Sequence, residues 1–372
     1  MCVVEWKELG KLVKRNKGIS ITAGQMSELN TRNGNVRVFA AGQTIADIDE
    51  DNLPHNCAYK LPSIIVKSRG YIDFEFYDKP FTHKNEMWSY SFTNKILGKF
   101  IYYYLTTKTD YFRNKAKANS VKLPQLCVAD TDNYLIPIPT LAKQQEIVSH
   151  LDTFTTLISN LESELDMRRK QYEHYRYQLL DFEGVKGVEW KTLGDVGNVC
   201  MCKRIMKEET SEQGDIPFFK IGTFGGKADA YISNELYEKY KKEYSFPKKG
   251  DILISASGTI GRLVVFDGKD AYFQDSNIVW IDNDENLVYN AYLKYYYQIV
   301  EWKTDGGTIK RLYNNNLRAT RIAIPSKQTQ QEIVEKLDAF ENLIQSLDQE
   351  IKLRQKQYEY YREKLLTFEY HG

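Results

Sequence analysis

The sequence predicts an α+β chain: two similar mixed α/β domains, separated by two long helices that pair as an antiparallel coiled coil, the whole a pseudo-twofold internal repeat. Three observations predict it. One stretch of about 48 residues occurs twice, from about Ile136 to Glu183 and from about Ile322 to Glu369. Apolar residues recur through both copies at alternating steps of four and three. The same short sequence, Val-Glu-Trp-Lys-x-Leu-Gly, opens the segment that precedes each copy, at Val4 and at Val188.

The two copies align without a gap when Pro139 is set against Pro325, an offset of 186 residues. Ile138-Pro139 matches Ile324-Pro325, and Gln144-Gln145-Glu146-Ile147-Val148 matches Gln330-Gln331-Glu332-Ile333-Val334. Further on, Lys170-Gln171-Tyr172-Glu173 matches Lys356-Gln357-Tyr358-Glu359, and Leu179-Leu180 with Phe182-Glu183 matches Leu365-Leu366 with Phe368-Glu369. The seam of the first copy runs through Ile147, Leu151, Phe154, Ile158, Leu161 and Leu165. That of the second runs through Ile333, Leu337, Phe340, Ile344, Leu347 and Ile351. This is a heptad pattern, free of Pro and Gly, with Gln, Glu, Lys, Ser and Asp between the apolar steps. Each proline precedes its helix, where a missing N–H costs little, and Thr140 and Ser326 are candidate N-caps. A homodimeric coiled coil would also bury such stripes; matched seams within one chain favour pairing inside it. Arg168 and Arg354 interrupt both seams at the same place. Each either snorkels at the seam edge or fixes register or meets an acidic partner.

The expected division is residues 1–138, a first domain; 139–184, a central helix; 185–324, a second domain; and 325–372, a C-terminal helix. Within the domains, Ser63 to Val66 and Ile252 to Ile254 read as strands, followed by glycine turns at Ser68-Arg69-Gly70 and Ser257-Gly258-Thr259-Ile260-Gly261-Arg262. Lys95–Leu105 and Ala291–Val300 read as helices. Ser120-Val121-Lys122 resembles Thr308-Ile309-Lys310. Curved antiparallel strands with few helices are expected in each domain.

Composition bounds the chemistry. A net charge of +1 does not announce nucleic acid, although basic runs stand at Lys14-Arg15-Asn16-Lys17, Arg113 to Lys117 and Lys310-Arg311. No apolar run of about 18 residues and no signal peptide occur, so no membrane role is expected. Five scattered cysteines, with only Cys200 and Cys202 close together, fit reduced thiols in a cytoplasmic protein and argue against zinc. No phosphate-binding loop, HExxH or Asn-Pro-Pro-Tyr is present. Asp73, Glu75 and Asp78 form at most a weak nuclease-like carboxylate group. A binding and scaffolding chain, not an enzyme and without a metal, is therefore expected.

If the helices pair antiparallel, two related readers sit at opposite ends of a rod. That arrangement suits a bipartite target such as DNA, whose half-sites one turn apart lie about 34–36 Å from each other. The doubled Ile-Pro, Gln-Gln-Glu-Ile-Val and Leu-Leu-x-Phe-Glu, with Ile221 to Gly225, Gly250-Asp251-Ile252-Leu253-Ile254-Ser255 and Gly258-Thr259-Ile260-Gly261, resemble the specificity subunit of type I restriction–modification systems. The resemblance spans essentially the whole chain and rests on the order and duplication of these motifs. It implies two target recognition domains, each reading one half of a split double-stranded DNA site. It also implies two modification (methyltransferase) subunits around the helices, and restriction (motor-nuclease) subunits. S-adenosylmethionine, ATP and magnesium would belong to those partners, with no cofactor in this chain. The chain opens almost at Trp6, so a short leading segment common in the family is expected to be absent. A coiled-coil adaptor carrying two protein-binding domains, with no DNA role, is the rival expectation.

Polar and basic residues at equivalent turns are the candidate DNA contacts. They are Arg69, Lys84, Asn85 and Lys122 in the first domain, and Thr259, Arg262, Gln274, Asn277, Lys310 and Arg311 in the second.

Overall fold

A computed structural model describes residues 4–120, 122–305 and 310–369. Val121, Thr308 and Ile309, used in the comparison of the two basic turns, lie outside the described residues, as does His371. Contacts divide the chain into two units, Met1–Glu162 with Gln349–Gly372, and Ser163–Asp348. Each unit thus holds one globular part and a half of each long helix.

In the first unit, a four-stranded sheet has the order Lys14–Lys17, Trp88–Ser91, Ser63–Lys67, Asp73–Tyr77, antiparallel throughout. A three-stranded sheet has the order Ile45–Ile48, Val36–Phe39, Phe81–His83, the last pair parallel. Glu5–Glu8 pairs with Leu135–Ile138, setting Trp6 opposite Pro137. Two-stranded pairing tolerates a proline, because an edge leaves room for a missing donor. The helix Lys95–Thr106 starts on Asn94, whose Oδ1 accepts from the Ile96 and Leu97 N–H groups. Its buried side, with Phe100, Ile101 and Leu105, joins Ile64, Val66 and Tyr90 in the core.

The second unit repeats this topology strand for strand. Its four-stranded sheet is Gly197–Cys200, Ile278–Asn283, Ile252–Ser255, Leu263–Val265. Its three-stranded sheet is Tyr231–Ile232, Ile216–Phe219, Tyr272–Phe273, again with one parallel pair. Glu189–Thr192 pairs with Arg321–Ile324.

The strands are therefore not all antiparallel, and each unit holds more helix than expected. Thr109–Asn119 and Asn234–Glu243 are additional helices, and the basic run Arg113 to Lys117 lies on the first of these. The helix expected over Ala291–Val300 is Asn290–Tyr296 and closes in a turn, with Tyr297 N–H bonded to Leu293 O.

The long helices are Leu141–Leu180 and Lys327–Leu365. Thr140 and Ser326 hydroxyls accept from the Lys143 and Thr329 N–H groups as N-caps. The repeated Gln-Gln pair has a structural reason at its first residue. Gln144 and Gln330 are buried, and each donates from Nε2 back to a proline carbonyl, Pro139 at 2.8 Å and Pro325 at 2.9 Å.

Inside the first unit, Leu151 and Leu366 share one buried cluster, with Leu365 packed against it. Phe154 stacks on Tyr361 at 5.5 Å, and Gln355 Nε2 reaches Glu162 at 3.4 Å. Inside the second, Leu180, Ile333 and Leu337 share a cluster with Leu179 beside it, Tyr175 stacks on Phe340 at 5.4 Å, and Tyr172 donates to Glu341 at 2.9 Å. In each unit, later residues of one helix meet earlier residues of the other. The domain helices grip the seam by one repeated contact: Tyr103 donates to Asp152 at 2.7 Å, and Tyr295 donates to Asp338.

Burial along the seam is uneven. Ile147, Leu151, Leu165, Ile333, Leu337 and Ile351 are buried, whereas Phe154, Ile158, Leu161, Phe340, Ile344 and Leu347 are half-buried. Arg168 and Arg354 are held on their own helices, pairing with Glu164 and Glu350 four residues back and bonding Gln171 and Gln357 three residues on. Pairs this exposed are weak, so they orient each guanidinium along its own helix without cancelling its charge.

Candidate nucleic-acid interface

Three loops meet on each globular part. In the first unit the loop after Ser63–Lys67 is pinned at Ser68. Leu126 N–H donates to Ser68 O at 2.8 Å, Gly70 N–H donates to Pro124 O at 2.9 Å, and the Ser68 hydroxyl donates to Glu86 O. Gly70 sits at φ +75°, in the left-handed region that favours glycine. These bonds bring the turn at Arg69, the turn at Lys84–Glu86 and the segment around Lys122–Leu126 together.

Arg69, Asn85 and Lys122 are exposed. Lys84 is half-buried and pairs with Glu86 at 3.3 Å. The Lys84 turn is fixed from behind. Lys84 N–H bonds Phe39 O at 2.9 Å and Asn85 N–H bonds Ile19 O at 3.1 Å. Gly18 lies so close that a Cβ there would fall 2.3 Å from the Lys84 oxygen. His83, buried just before the turn, places Nε2 3.1 Å from Ser89 Oγ, and burial lowers its pKa to about 4.

The second unit uses the same frame. Leu312 N–H donates to Ala256 O at 2.9 Å, the counterpart of Leu126 and Ser68, and Ala256 N–H donates to Asn277 O at 2.7 Å. The glycine turn folds onto Ser255, whose hydroxyl donates to Thr259 O and accepts from Arg262 N–H at 2.8 Å. Gly261, at φ +79°, would place a Cβ 2.7 Å from the Trp302 ring.

The candidates divide by what their side chains already do. Thr259, Arg262 and Lys310 are exposed, though Arg262 donates to Phe224 O at 2.8 Å. Gln274 accepts from Ile221 N–H at 2.9 Å, so half of its amide is committed to the fold. Asn277 Oδ1 accepts from both Ser257 Oγ at 2.8 Å and Arg311 Nη2 at 2.9 Å. Beside Arg311 opens a cleft of about 340 Å³ lined by Met201, Ser276, Leu312, Tyr313, Asn314 and Asn315.

Sequence reasoning passed over Ser257, Gln125 and the Tyr313–Asn315 wall. The signal was available: carrying the 186-residue offset back past Ile136 and Ile322 sets Gln125 against Arg311 and Leu126 against Leu312. The carboxylates Glu75 and Asp78 are spent on Lys67 at 2.7 Å and Lys95 at 2.6 Å. Among the described residues no group of three or more His, Cys, Asp or Glu is placed to hold a metal ion, and no helix is long and apolar enough to cross a membrane.

The type I restriction modification DNA specificity domain matches twice, over residues 3–167 and 186–353. A protein named as a type I restriction enzyme specificity subunit in Haemophilus influenzae is 51% identical over 291 residues, 74% of this chain and 73% of its own. The EcoR124I/EcoR124II specificity subunit of Escherichia coli is 31% identical over 400 residues, covering 98% of this chain and 94% of its own. The crystal structure of the type I S subunit from M. genitalium superposes with a TM-score of 0.63 at 17% identity, over 99% of this chain and 97% of that one. At that identity the likeness concerns the fold. The two matched domains coincide with the two copies of the three-loop frame. The chain belongs to the type I restriction–modification DNA specificity family, as a specificity subunit with two recognition domains.

Proposed function

We propose that the chain reads a split double-stranded DNA target, one half per domain, through the three loops gathered on each. The observation that carries this reading is one frame with two sets of side chains. The bonds Leu126 N–H to Ser68 O and Leu312 N–H to Ala256 O repeat, while the residues they display differ: Arg69, Asn85, Lys122 and Gln125 in one copy; Thr259, Arg262, Lys310 and Arg311 in the other. A repeated scaffold with altered displays is what two different half-sites require.

The long helices set the gap between half-sites and dock two modification subunits. Their outward faces support this. Leu157 and Leu343, and Met167 and Leu353, occupy matching repeat positions off the seam, and each is at least 36% exposed. Large apolar side chains duplicated on a solvated face suit a duplicated partner. The chain itself is non-catalytic in this reading and works in the cytoplasm. S-adenosylmethionine, ATP and magnesium are bound by the modification and restriction subunits.

Exchange of residues 188–320 for the matching domain of a relative with another target tests it. Methylated motifs would be read base by base in cells that supply the modification subunit. One half-site should change while the other half and the gap stay. A motif altered in both halves, or in neither while methylation proceeds, would overturn the reading.

A further inference from the structure

Arg311 is fixed both through its backbone and through its guanidinium. Its backbone is locked in both directions against Asp305, with Arg311 N–H to Asp305 O at 2.9 Å and Asp305 N–H to Arg311 O at 3.1 Å. Its guanidinium donates through Nη2 to Asn277 Oδ1 at 2.9 Å, and Asn277 is itself fixed by Ser257 Oγ at 2.8 Å. Both anchors are neutral. The Asp305 carboxylate is taken by Asn316 Nδ2 at 2.8 Å, and among the described residues no carboxylate pairs with Arg311. By contrast, Arg204 pairs with Asp275 at 2.9 Å, and Arg15 with Asp132 at 3.5 Å.

A guanidinium oriented by amide and hydroxyl groups keeps its full charge. One nitrogen, Nη2, is spent on the anchor and lies 3.5 Å from Ser276 O, which leaves the other donors of a side chain that lines a cleft with Ser276, Tyr313, Asn314 and Asn315. A phosphate contact needs only charge, and the exposed Lys310 next door supplies that. A fork fixed in direction is suited to a pair of acceptors at fixed spacing, such as the O6 and N7 edge of guanine in the major groove. At the equivalent register of the first domain stands Gln125, exposed, a side chain whose amide matches the donor–acceptor edge of adenine instead.

We propose that Arg311 reads a guanine in the half-site of the second domain, with Asn277 and Ser257 as positioning residues. This rests on the reading of the three loops as the DNA surface.

The test is the methylated motif of the full chain expressed with its modification subunit, for wild type, Arg311→Gln, Arg311→Lys and Asn277→Asp. The wild-type motif should require a guanine in the half-site of the second domain. Arg311→Gln should relax that position by about tenfold or more in preference, leaving every other position and the whole first half-site intact. Asn277→Asp keeps size but supplies a carboxylate to neutralise the fork, and should relax the same position. Arg311→Lys, a flexible point charge, should retain methylation yet discriminate less well. Purified variants should keep the wild-type thermal melt.

If Arg311→Gln weakens methylation of all sequences alike and lowers the salt slope of binding, Arg311 contacts phosphate and the proposal is overturned. It is overturned equally if the guanine requirement persists. In either case, exchange of residues 188–320 still decides separately whether the domain reads that half-site.

Discussion

His83 stands immediately before Lys84 and Asn85 with no exposed surface. Its Nε2 meets Ser89 Oγ, which also accepts from Asn16 Nδ2 at 3.0 Å, and Asn16 donates on to Ser91 at 2.7 Å. A buried polar chain of this kind fixes the turn that displays Lys84 and Asn85, and its burial disfavours a charged imidazolium there. Burial holds the His83 pKa at about 4, below its ordinary value of 6.5; the Lys84 carbonyl bonded to the ring and, less, Glu86 offset this only in part. The unfolded chain therefore takes up the proton first on acidification. Stability from His83 is complete above about pH 6.5 and is lost as pH falls toward 4, by roughly 3 kcal/mol at most. Denaturant unfolding of wild type and His83→Gln, measured between pH 7 and 4.5, should show a steeper acid loss in wild type; parallel curves would remove His83 from the account. The sequence could not disclose this residue's part. A histidine on a strand gives no sign of whether its ring faces the core, and Gln274 and Asn277 likewise read as surface amides although their oxygens hold the loops together.

The long helices were the most legible elements, because a helix with one solvated face must write its seam into the sequence. The strands were less so. They run two to six residues in the second unit, and their order depends on crossovers that no local pattern records. The parallel pairing of Val36–Phe39 with Phe81–His83 is such a case. Helix Thr109–Asn119 escaped because only Phe112 and Ala116 are buried on it, so its basic residues hid a weak stripe. Even along the seam, periodicity does not rank depth. Leu337 is fully buried beside Ile333 and Leu180, whereas Leu161 is half-buried. Leu337→Ala should cost about 2–5 kcal/mol through lost burial and a cavity. Leu161→Ala should cost about 1 kcal/mol, and even Leu161→Asp would leave its charge partly in water. Equal losses of denaturation midpoint for Leu337→Ala and Leu161→Ala would show that the seam packs uniformly after all.

At the scale of the whole molecule, the duplication is what connects structure to function. Each helix contributes to both units, the first splitting at Glu162 and Ser163 and the second at Asp348 and Gln349. If the helices are the ruler between half-sites, lengthening one should change the gap and nothing else. Four residues inserted between Glu162 and Ser163 add about 6 Å at 1.5 Å per residue, and about 40° of rotation at 3.6 residues per turn. On DNA with about 10.5 base pairs per turn, 40° is close to one base-pair step, while 6 Å is nearer two steps of 3.4 Å. The gap should therefore lengthen by one or two base pairs, with the compromise between advance and rotation choosing which. Four is one of the seam's own steps, so the apolar stripe survives with a local unwinding. Both half-sites should keep their sequences, since no reading loop is touched. The measurement is the methylated motif of the insertion variant, sequenced with its modification subunit supplied. A fully methylating variant with the original gap would show that the separation of the half-sites is set elsewhere than in these helices.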